Sequence, residues 1–252
     1  MADDGDRQLQ RAVCFVALAL MAVSAALAPH SNLSIRAAPP ALAALVAVFG
    51  LLHPGPGAAV AVLGAAISIV SATGITWQAT MPLALACFLF VLPARRALGP
   101  LREPVGRVPA WETIACAAVT PFALVAWFLL FDPDLRDITR HLPELGKTEL
   151  ALGAVGFVLI NAFCEELIWR GVIQSRLTAL LSERDAIVVQ ALSFGAQHVH
   201  GFPRGAAGVL LASVWAIGLG MLRRRAGGLL ASILAHVVAD ATIAAIIIFW
   251  AR

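Results

Sequence analysis

The chain carries little charge for its length. Only 13% of its 252 residues are charged and 60% are hydrophobic, whereas soluble globular domains contain about 25% charged residues. Tyrosine is absent, and Lys147 is the single lysine beside seventeen arginines. The net charge of +3 comes without a basic stripe interleaved with aromatic residues, so the sequence predicts no nucleic-acid partner. This composition excludes a disordered chain and disfavours an ordinary soluble domain.

Cysteine is also scarce, and its spacing argues against a cross-linked or metal-stabilised fold. The four cysteines are Cys14, Cys87, Cys116 and Cys164, each in an apolar stretch, and no two have CxxC spacing. A disulfide framework or a structural zinc site is therefore disfavoured. Cysteines in such surroundings behave as small apolar residues.

Long apolar segments fill most of the chain. A membrane-spanning helix needs about 20 apolar residues, or fewer where the membrane is thin. We predict nine such segments, at residues 12–28, 38–52, 57–73, 80–93, 110–131, 149–172, 186–200, 205–222 and 228–250. The predicted fold class is therefore all-α, a polytopic transmembrane helix bundle of about eight or nine membrane helices. The first segment could instead be a cleaved signal peptide, but the acidic residues before it favour a retained anchor helix.

The arginines are distributed unevenly between alternate loops. With the N-terminus inside, eleven basic residues fall inside and six outside, so the bias predicts a cytoplasmic N-terminus. Residues 94–108 form a polar, proline-bearing loop that divides N-terminal membrane helices of unassigned role (1–108) from a C-terminal core (109–252). The lysine-poor, arginine- and alanine-rich composition is typical of GC-rich bacterial genomes, so we expect an integral protein of a bacterial inner membrane.

Six ionisable residues lie inside apolar segments of the C-terminal half. They are Glu165, Glu166, Arg170, His198, His236 and Asp240. A charged side chain at the bilayer centre costs at least about 2.5 kcal/mol, so such residues are rare and usually functional. Most other acidic residues lie in loops or at helix ends, which makes these six the candidate functional residues.

Helical spacing assigns these residues to faces. Glu166 and Arg170 are four apart and can pair on one face, whereas Glu165 is rotated by about 100° onto the face of Asn161. One carboxylate can thus be neutralised by arginine, while the other is left as a general base or acid. A turn joins the sixth apolar segment, which carries Glu165, to the seventh, which carries His198. His198 lies about as far after this turn as Glu165 lies before it. An antiparallel hairpin would therefore bring the two to equal depth.

Two patterns on the last two segments add to this set. His236 and Asp240 are four apart and share a face. Small residues recur every four positions on the preceding segment, at Ala212, Ala216 and Gly220, and permit close packing. We expect this small-residue face to let the last helix approach the two helices that carry the glutamates and the first histidine.

Structural interpretations and other functions stay open. An ion pair that orients its helix explains Glu166 and Arg170 at least as well as direct chemistry does. His198 alone could be a hydrogen-bonded core histidine, and His236 with Asp240 could form a helix-packing hydrogen bond. A transporter that relays protons or ions through these groups, and a zinc-dependent membrane protease, are alternative functions. A scaffold or immunity protein is a third possibility.

Three motifs occur in order on separate apolar segments: Glu165-Glu166-x-x-x-Arg170, Phe194-x-x-x-His198 and His236-x-x-x-Asp240. This pattern resembles the CPBP family of CAAX prenyl proteases and bacteriocin-processing proteins, also called the ABI family of intramembrane glutamic endopeptidases. The resemblance covers about residues 110–250 and leaves the four N-terminal helices unmatched.

The resemblance implies an all-α intramembrane endopeptidase whose motif helices enclose a cavity. Glu165 and His198 would activate a water for attack on a peptide carbonyl, and His236 with Asp240 would stabilise the oxyanion. The family's last motif usually ends in asparagine, so Asp240 departs from the common pattern. An aspartate could donate to an oxyanion only when protonated, and could otherwise orient His236 as an acceptor.

The resemblance also implies supporting residues and partners. Glu166 and Arg170 would hold the first motif helix in place, and Phe194 would support the second. The implied partners are a peptide or membrane-protein substrate and the lipid bilayer. The implied mechanism uses no metal or cofactor, and no HExxH motif is present, so zinc is only the alternative named above.

Overall fold

The computed structural model describes residues 4–75, 77–91, 104–140 and 142–250, without the side chains of residues 77 and 78. Throughout this part of the chain the regular structure is helical and no strand occurs. Each of the nine predicted apolar segments lies on a helix. The agreement follows from the length of the apolar runs, because only helices satisfy all backbone hydrogen bonds of a single segment within a membrane.

The helices are, in chain order, α1 (Asp4–Leu27), α2 (Leu33–Leu52), α3 (Pro56–Ala72), α4 (Trp77–Val91), α5 (Ala110–Phe131), α6 (Arg136–Thr139), α7 (Lys147–Glu166), α8 (Ser175–Thr178), α9 (Glu183–Ala196), α10 (Gly205–Ala226) and α11 (Leu230–Phe249). A π-helical segment, Leu167–Gln174, joins α7 to α8, and a 3-10 turn, Gln197–Val199, extends α9.

Six described stretches are long and apolar enough to cross a membrane. They are α1, α2, α5, α10, α11 and the continuous stretch Lys147–Thr178 that runs from α7 through α8. Helices α3 and α4 are shorter apolar helices, and α9 has 14 residues. The predicted helical membrane bundle is confirmed, and the chain is an integral membrane protein. Fewer helices are long enough for a full span than the eight or nine predicted, because α3, α4 and α9 are short.

The N-terminal helices pack through small side chains and one polar clamp. Most of α3 is buried, including Ala58 and Ala59. Gln10 of α1 donates from Nε2 to the carbonyl oxygen of His53 (3.0 Å) and accepts at Oε1 from the backbone N–H of Gly57 (2.9 Å). A Cβ at position 57 would lie 2.8 Å from the backbone oxygen of Gln10, so glycine permits this close approach of α1 and α3.

One end of the bundle gathers most of the described arginines. Arg11 donates to the carbonyl oxygen of Leu180 (2.8 Å), and Arg224 pairs with Glu183 (2.7 Å). We call this the arginine-rich end, and it comprises residues 4–11, 53–57, 104–110, 178–184 and 223–230. Residues 27–33, 132–140, 142–146 and 199–205 lie at the opposite end. Helices therefore alternate in direction as the orientation prediction requires, while the assignment of the arginine-rich end to the cytoplasm stays a prediction.

The small-residue face of α10 packs differently from the expectation. A Cβ added to Gly220 would lie 3.0 Å from Ile187 of α9 and 3.2 Å from Gln174. This face therefore contacts α9 and the π-helical segment. Helix α11 approaches α7 directly and also packs against α5 and α10. The expectation that this small-residue face lets α11 approach the other motif helices was wrong. The small residues instead make room for polar side chains of α9 and of the π-helical segment.

The N-terminal and C-terminal helices are in contact with each other. Helix α1 packs against α9, α3 against α8, and α4 against α7. The division at residue 108 stays a prediction, and most of the dividing loop lies outside the described residues. These contacts bring the N-terminal helices next to the helices that carry the three motifs.

Candidate active site

The helix that carries the first motif changes its winding directly after the two glutamates. Helix α7 ends at Glu166, and the π-helical segment that follows is buried from Ile168 to Gln174. A π-helix is wider than an α-helix and often marks a functional site. The sequence predicts a plain helix here, since no residue type reports the change in hydrogen-bonding pattern.

The buried core of the site is an ionic cluster around Glu166. Its Oε1 accepts from Arg170 Nη1 (2.8 Å) and from His236 Nδ1 (2.7 Å). The side chains of Glu166 and Arg170 are both 0% exposed. The predicted pairing of these two residues is therefore present, and it extends to His236 on α11. A buried pair of this kind is tolerated only with good geometry and further hydrogen bonds.

Backbone carbonyls of α10 complete the ionic cluster. Arg170 Nη2 lies 3.4 Å from the carbonyl oxygen of Ala216, which also accepts from Gln190 Nε2 at 3.1 Å. Gln174 Nε2 donates to the carbonyl oxygen of Gly220 (3.1 Å). Small side chains on α10 leave these carbonyls open to long polar side chains. Gln174 had no predicted role, although its spacing four residues after Arg170 in an apolar segment is a usable signal.

Glu165 points away from this core into a second polar group. Its side chain is 14% exposed, and its Oε1 accepts from Asn161 Nδ2 at 3.2 Å. The same nitrogen donates to Asp240 Oδ2 at 3.0 Å. His236 Nε2 lies 3.6 Å from both Glu165 Oε2 and Asp240 Oδ1, which is close enough for charge attraction but too long for a hydrogen bond.

His198 lies beside Phe194 at the C-terminal end of α9. Its Nδ1 donates to the carbonyl oxygen of Phe194 (3.1 Å), because a carbonyl can only accept. In the neutral ring this leaves the lone pair on Nε2. The two rings are 4.6 Å apart, and the Phe194 ring also meets Trp169 edge to face and lies 5.0 Å from the Arg170 guanidinium. Phe194 therefore separates the ionic core from His198 and contacts both.

One cavity of about 500 Å³ joins the predicted residues. Its wall contains Glu165, His198, His236 and Asp240, together with Asn161 and Phe194. Glu166 and Arg170 lie behind this wall. Glu165 and His198 share the cavity but no hydrogen bond joins them in the described structure. Asn161 received no predicted role, although it lies four residues before Glu165 in an apolar helix.

The N-terminal helices form part of the same cavity. Ala25 and Pro29 line it from the end of α1, and Ile75 and Met81 line it around the start of α4. No sequence motif predicts this contribution, because these residues are ordinary apolar positions. The cavity extends to the end of the bundle opposite the arginine-rich end, since Phe202 also lines it.

Arg204 connects two loops at this end of the cavity. Its two terminal nitrogens bind both carboxylate oxygens of Asp137 (2.8 and 2.7 Å), and Nη2 also donates to the carbonyl oxygen of His200 (2.8 Å). The hydrogen bonds from Arg204 hold the pKa of Asp137 below its usual range. Hydrogen bonds from Arg136 lower the pKa of Asp134 to about 2. These contacts hold α6, whose Ile138 lines the cavity.

The described residues contain no group of three or more His, Cys, Asp or Glu side chains arranged to hold a metal ion. The acidic and imidazole side chains that lie nearest each other are those of Glu165, His236 and Asp240. Each also forms a hydrogen bond with Asn161 or Glu166. The zinc-dependent alternative stays a prediction, which a chelation experiment would test.

Residues 147–242 match the protein-family model described as type II CAAX prenyl endopeptidase Rce1-like. The match confirms the predicted resemblance over a narrower range than 110–250, and it includes every predicted site residue. Helices α1 to α6 lie outside it. No curated protein and no solved structure matched the chain.

Proposed function

From the Rce1-like match of residues 147–242, we propose that this membrane protein is an intramembrane endopeptidase that uses a glutamate-activated water. The observation that carries the proposal is the common cavity. Three separate helices contribute Glu165, His198, His236 and Asp240 to its wall. Placing ionisable residues in a membrane interior costs free energy, so such residues are usually functional. A protease uses carboxylates and histidines of this kind for acid–base catalysis.

The proposed nucleophile is a water held between Glu165 and Nε2 of His198. The Nδ1–H of His198 is committed to Phe194, so Nε2 can accept a hydrogen bond from this water. Glu165 takes one water proton as the oxygen attacks the peptide carbonyl, and the C–N bond then breaks. The proton passes to the leaving amine, which yields a new carboxyl terminus and a new amino terminus.

His236 is the proposed stabiliser of the tetrahedral oxyanion. Its Nδ1–H is used by Glu166, so an Nε2–H exists only in the doubly protonated imidazolium ring. Glu165, Glu166 and Asp240 surround that ring and balance its positive charge. An imidazolium N–H aimed into a low-dielectric cavity is an effective oxyanion donor.

Asp240 has the proposed role of an acceptor. Its Oδ2 already accepts from Asn161, and its Oδ1 lies 3.6 Å from His236 Nε2. We therefore assign Asp240 to orienting and charge-balancing His236, and leave oxyanion donation to His236 alone. Glu166 and Arg170 are proposed to hold α7 and α11 in register, because both lie behind the cavity wall.

A lipid-modified peptide is the proposed substrate class, following the family description. A second cavity of about 300 Å³ adjoins the first and shares Phe157 and Ile243 with it. Its other walls are mostly apolar, including Leu150 and Ile247, and suit a hydrocarbon chain. A peptide in the first cavity could thus carry its lipid in the second. The bacterial inner membrane remains the proposed location.

The test is cleavage of an internally quenched, prenylated CAAX peptide by the purified protein in liposomes. We expect Glu165→Gln to reduce the rate by about 10²–10⁴-fold, since it removes the general base. Glu144→Gln, the same change in the loop before α7, should cleave like the wild type. Full activity in Glu165→Gln would contradict the proposal. Loss of wild-type activity on strong chelation would favour the zinc alternative, and Glu165-dependent ion uptake without cleavage would favour a transporter.

A further inference from the structure

We propose that Asn161 is a positioning residue that selects the oxygen through which Glu165 acts. The proposal rests on the endopeptidase function above and deepens it. Asn161 lies one helical turn before Glu165 on α7, is 8% exposed and lines the cavity. It belongs to none of the three motifs.

The amide of Asn161 bridges two carboxyl groups on different helices. Nδ2 lies 3.2 Å from Glu165 Oε1 and 3.0 Å from Asp240 Oδ2. An amide NH2 has two hydrogens and no acceptor lone pair, so one hydrogen serves each carboxylate. Both contacted oxygens accept, and a proton on either is disfavoured because a carboxylate oxygen is a stronger acceptor than a hydroxyl oxygen.

This bridge makes the two oxygens of Glu165 unequal. Oε1 is occupied by the amide, whereas Oε2 lies on the side of His236 Nε2, at 3.6 Å. A proton taken from the attacking water is therefore directed to Oε2. Without the amide, the carboxyl group could rotate about its terminal torsion, which has a broad and roughly two-fold preference. Productive geometry would then be populated only part of the time.

The bridge also separates two negative groups. Glu165 and Asp240 approach the same imidazole, and like charges at short range disfavour joint ionisation. The Asn161 amide places a positive dipole end between them and ties α7 to α11. An apolar residue at position 161 would leave both contacted oxygens without this donor in a buried setting, which is costly.

The first experiment replaces the amide by a side chain of similar size. Asn161→Leu should lower kcat for the quenched prenylated CAAX peptide by roughly 10- to 100-fold, the range found when outer-shell partners of a site are removed. KM should stay within about twofold, because Asn161 orients a reacting group and does not bind the peptide. A purely structural role would instead lower the amount of folded protein and leave kcat per folded molecule unchanged.

The second experiment exchanges the two bridging residues. Asp240→Asn keeps an acceptor for Asn161 and keeps the amide on Glu165, so it should retain activity within about tenfold of wild type. Asn161→Asp places three carboxyl groups together and should lose both stability and kcat. The double variant Asn161→Asp/Asp240→Asn restores an amide–carboxylate pair between α7 and α11, so its thermal stability should recover towards wild type.

The double variant distinguishes the two parts of the bridge. Its Glu165 still lacks an amide donor on Oε1, so kcat should remain low although the fold is restored. Recovery of wild-type kcat in the double variant would overturn the proposal, as would full kcat in Asn161→Leu. A wild-type protein that cleaves no peptide would contradict the endopeptidase function itself, which is a separate outcome.

Discussion

The adjacent glutamates Glu165 and Glu166 occupy two different environments. Glu166 is fully buried and accepts hydrogen bonds of 2.8 and 2.7 Å from Arg170 and His236. Glu165 lines a cavity, and its one hydrogen bond within the described part of the chain, from Asn161, is 3.2 Å long. The same residue type, one position apart, thus lies in a buried ionic cluster in one case and at a cavity wall in the other. A rotation of about 100° along the helix is enough to cause this difference.

The largest stability effect is expected from breaking the ionic core. Arg170→Met leaves the Glu166 carboxylate buried without its arginine, which should lower the free energy of unfolding by about 3–5 kcal/mol. Thermal or denaturant unfolding in detergent micelles measures this. Glu165→Gln, at the cavity wall, should change stability far less.

A double variant sharpens the same comparison. Glu166→Gln/Arg170→Met removes both charges and should recover much of the stability that Arg170→Met loses, because replacing a buried pair is often nearly neutral. A stability for Arg170→Met within about 1 kcal/mol of the wild type would show that the ionic core does not hold the helices together.

A smaller effect is expected where α10 packs against the polar side chains of the core. Gly220→Ala places a Cβ 3.0 Å from Ile187, 3.1 Å from Gln190 and 3.2 Å from Gln174, and such overpacking typically costs about 1–3 kcal/mol. Gly218 of the same helix is a matched control, since among the described residues its Cβ would meet only Cys116, at 3.6 Å. Unfolding measurements should show Gly218→Ala neutral or slightly stabilising. Equal effects of the two changes would contradict the close packing at Gly220.

The smallest effect concerns the loops at the end of the bundle opposite the arginine-rich end. Arg204 lowers the pKa of Asp137. The contact therefore stabilises α6 fully at pH values above the ordinary aspartate pKa of about 3.9. This stabilisation is lost as the pH falls through the lowered pKa of Asp137. Because the Asp137 side chain is 48% exposed, the contribution should not exceed about 1 kcal/mol.

Limited proteolysis of the 132–146 loop tests this contact. Asp137→Asn should be cleaved faster than wild type at neutral pH and at the same rate well below pH 4. Glu144→Gln, in the same loop, should match wild type at both values. A difference between Asp137→Asn and wild type that persists in acid would rule out the ion pair as its cause.

The helices could be predicted from the sequence because length and apolarity determine them. All nine segments were located, and residues 53–55 separate α2 from α3. Whether α3, α4 and α9 span a membrane could not be predicted, since a short apolar run is compatible with a buried helix. The π-helical segment gave no signal, because its residues suit an ordinary helix equally well.

The site could be predicted in part for a similar reason. Four-residue spacing predicts neighbours on one helix, and the pair of Glu166 with Arg170 follows it. Contacts between helices do not follow from spacing. The bridge from Asn161 to Asp240 and the bond from His236 to Glu166 therefore appear only in the folded structure.

The most direct measurement compares the two glutamates in one assay. Wild type, Glu165→Gln and Glu166→Gln are reconstituted in liposomes, and peptide cleavage and thermal unfolding are recorded on the same preparations. We predict that Glu165→Gln unfolds like the wild type and loses cleavage by about 10²–10⁴-fold, whereas Glu166→Gln loses stability. Wild-type cleavage by a folded Glu165→Gln protein would contradict the assignment of the chemistry to Glu165.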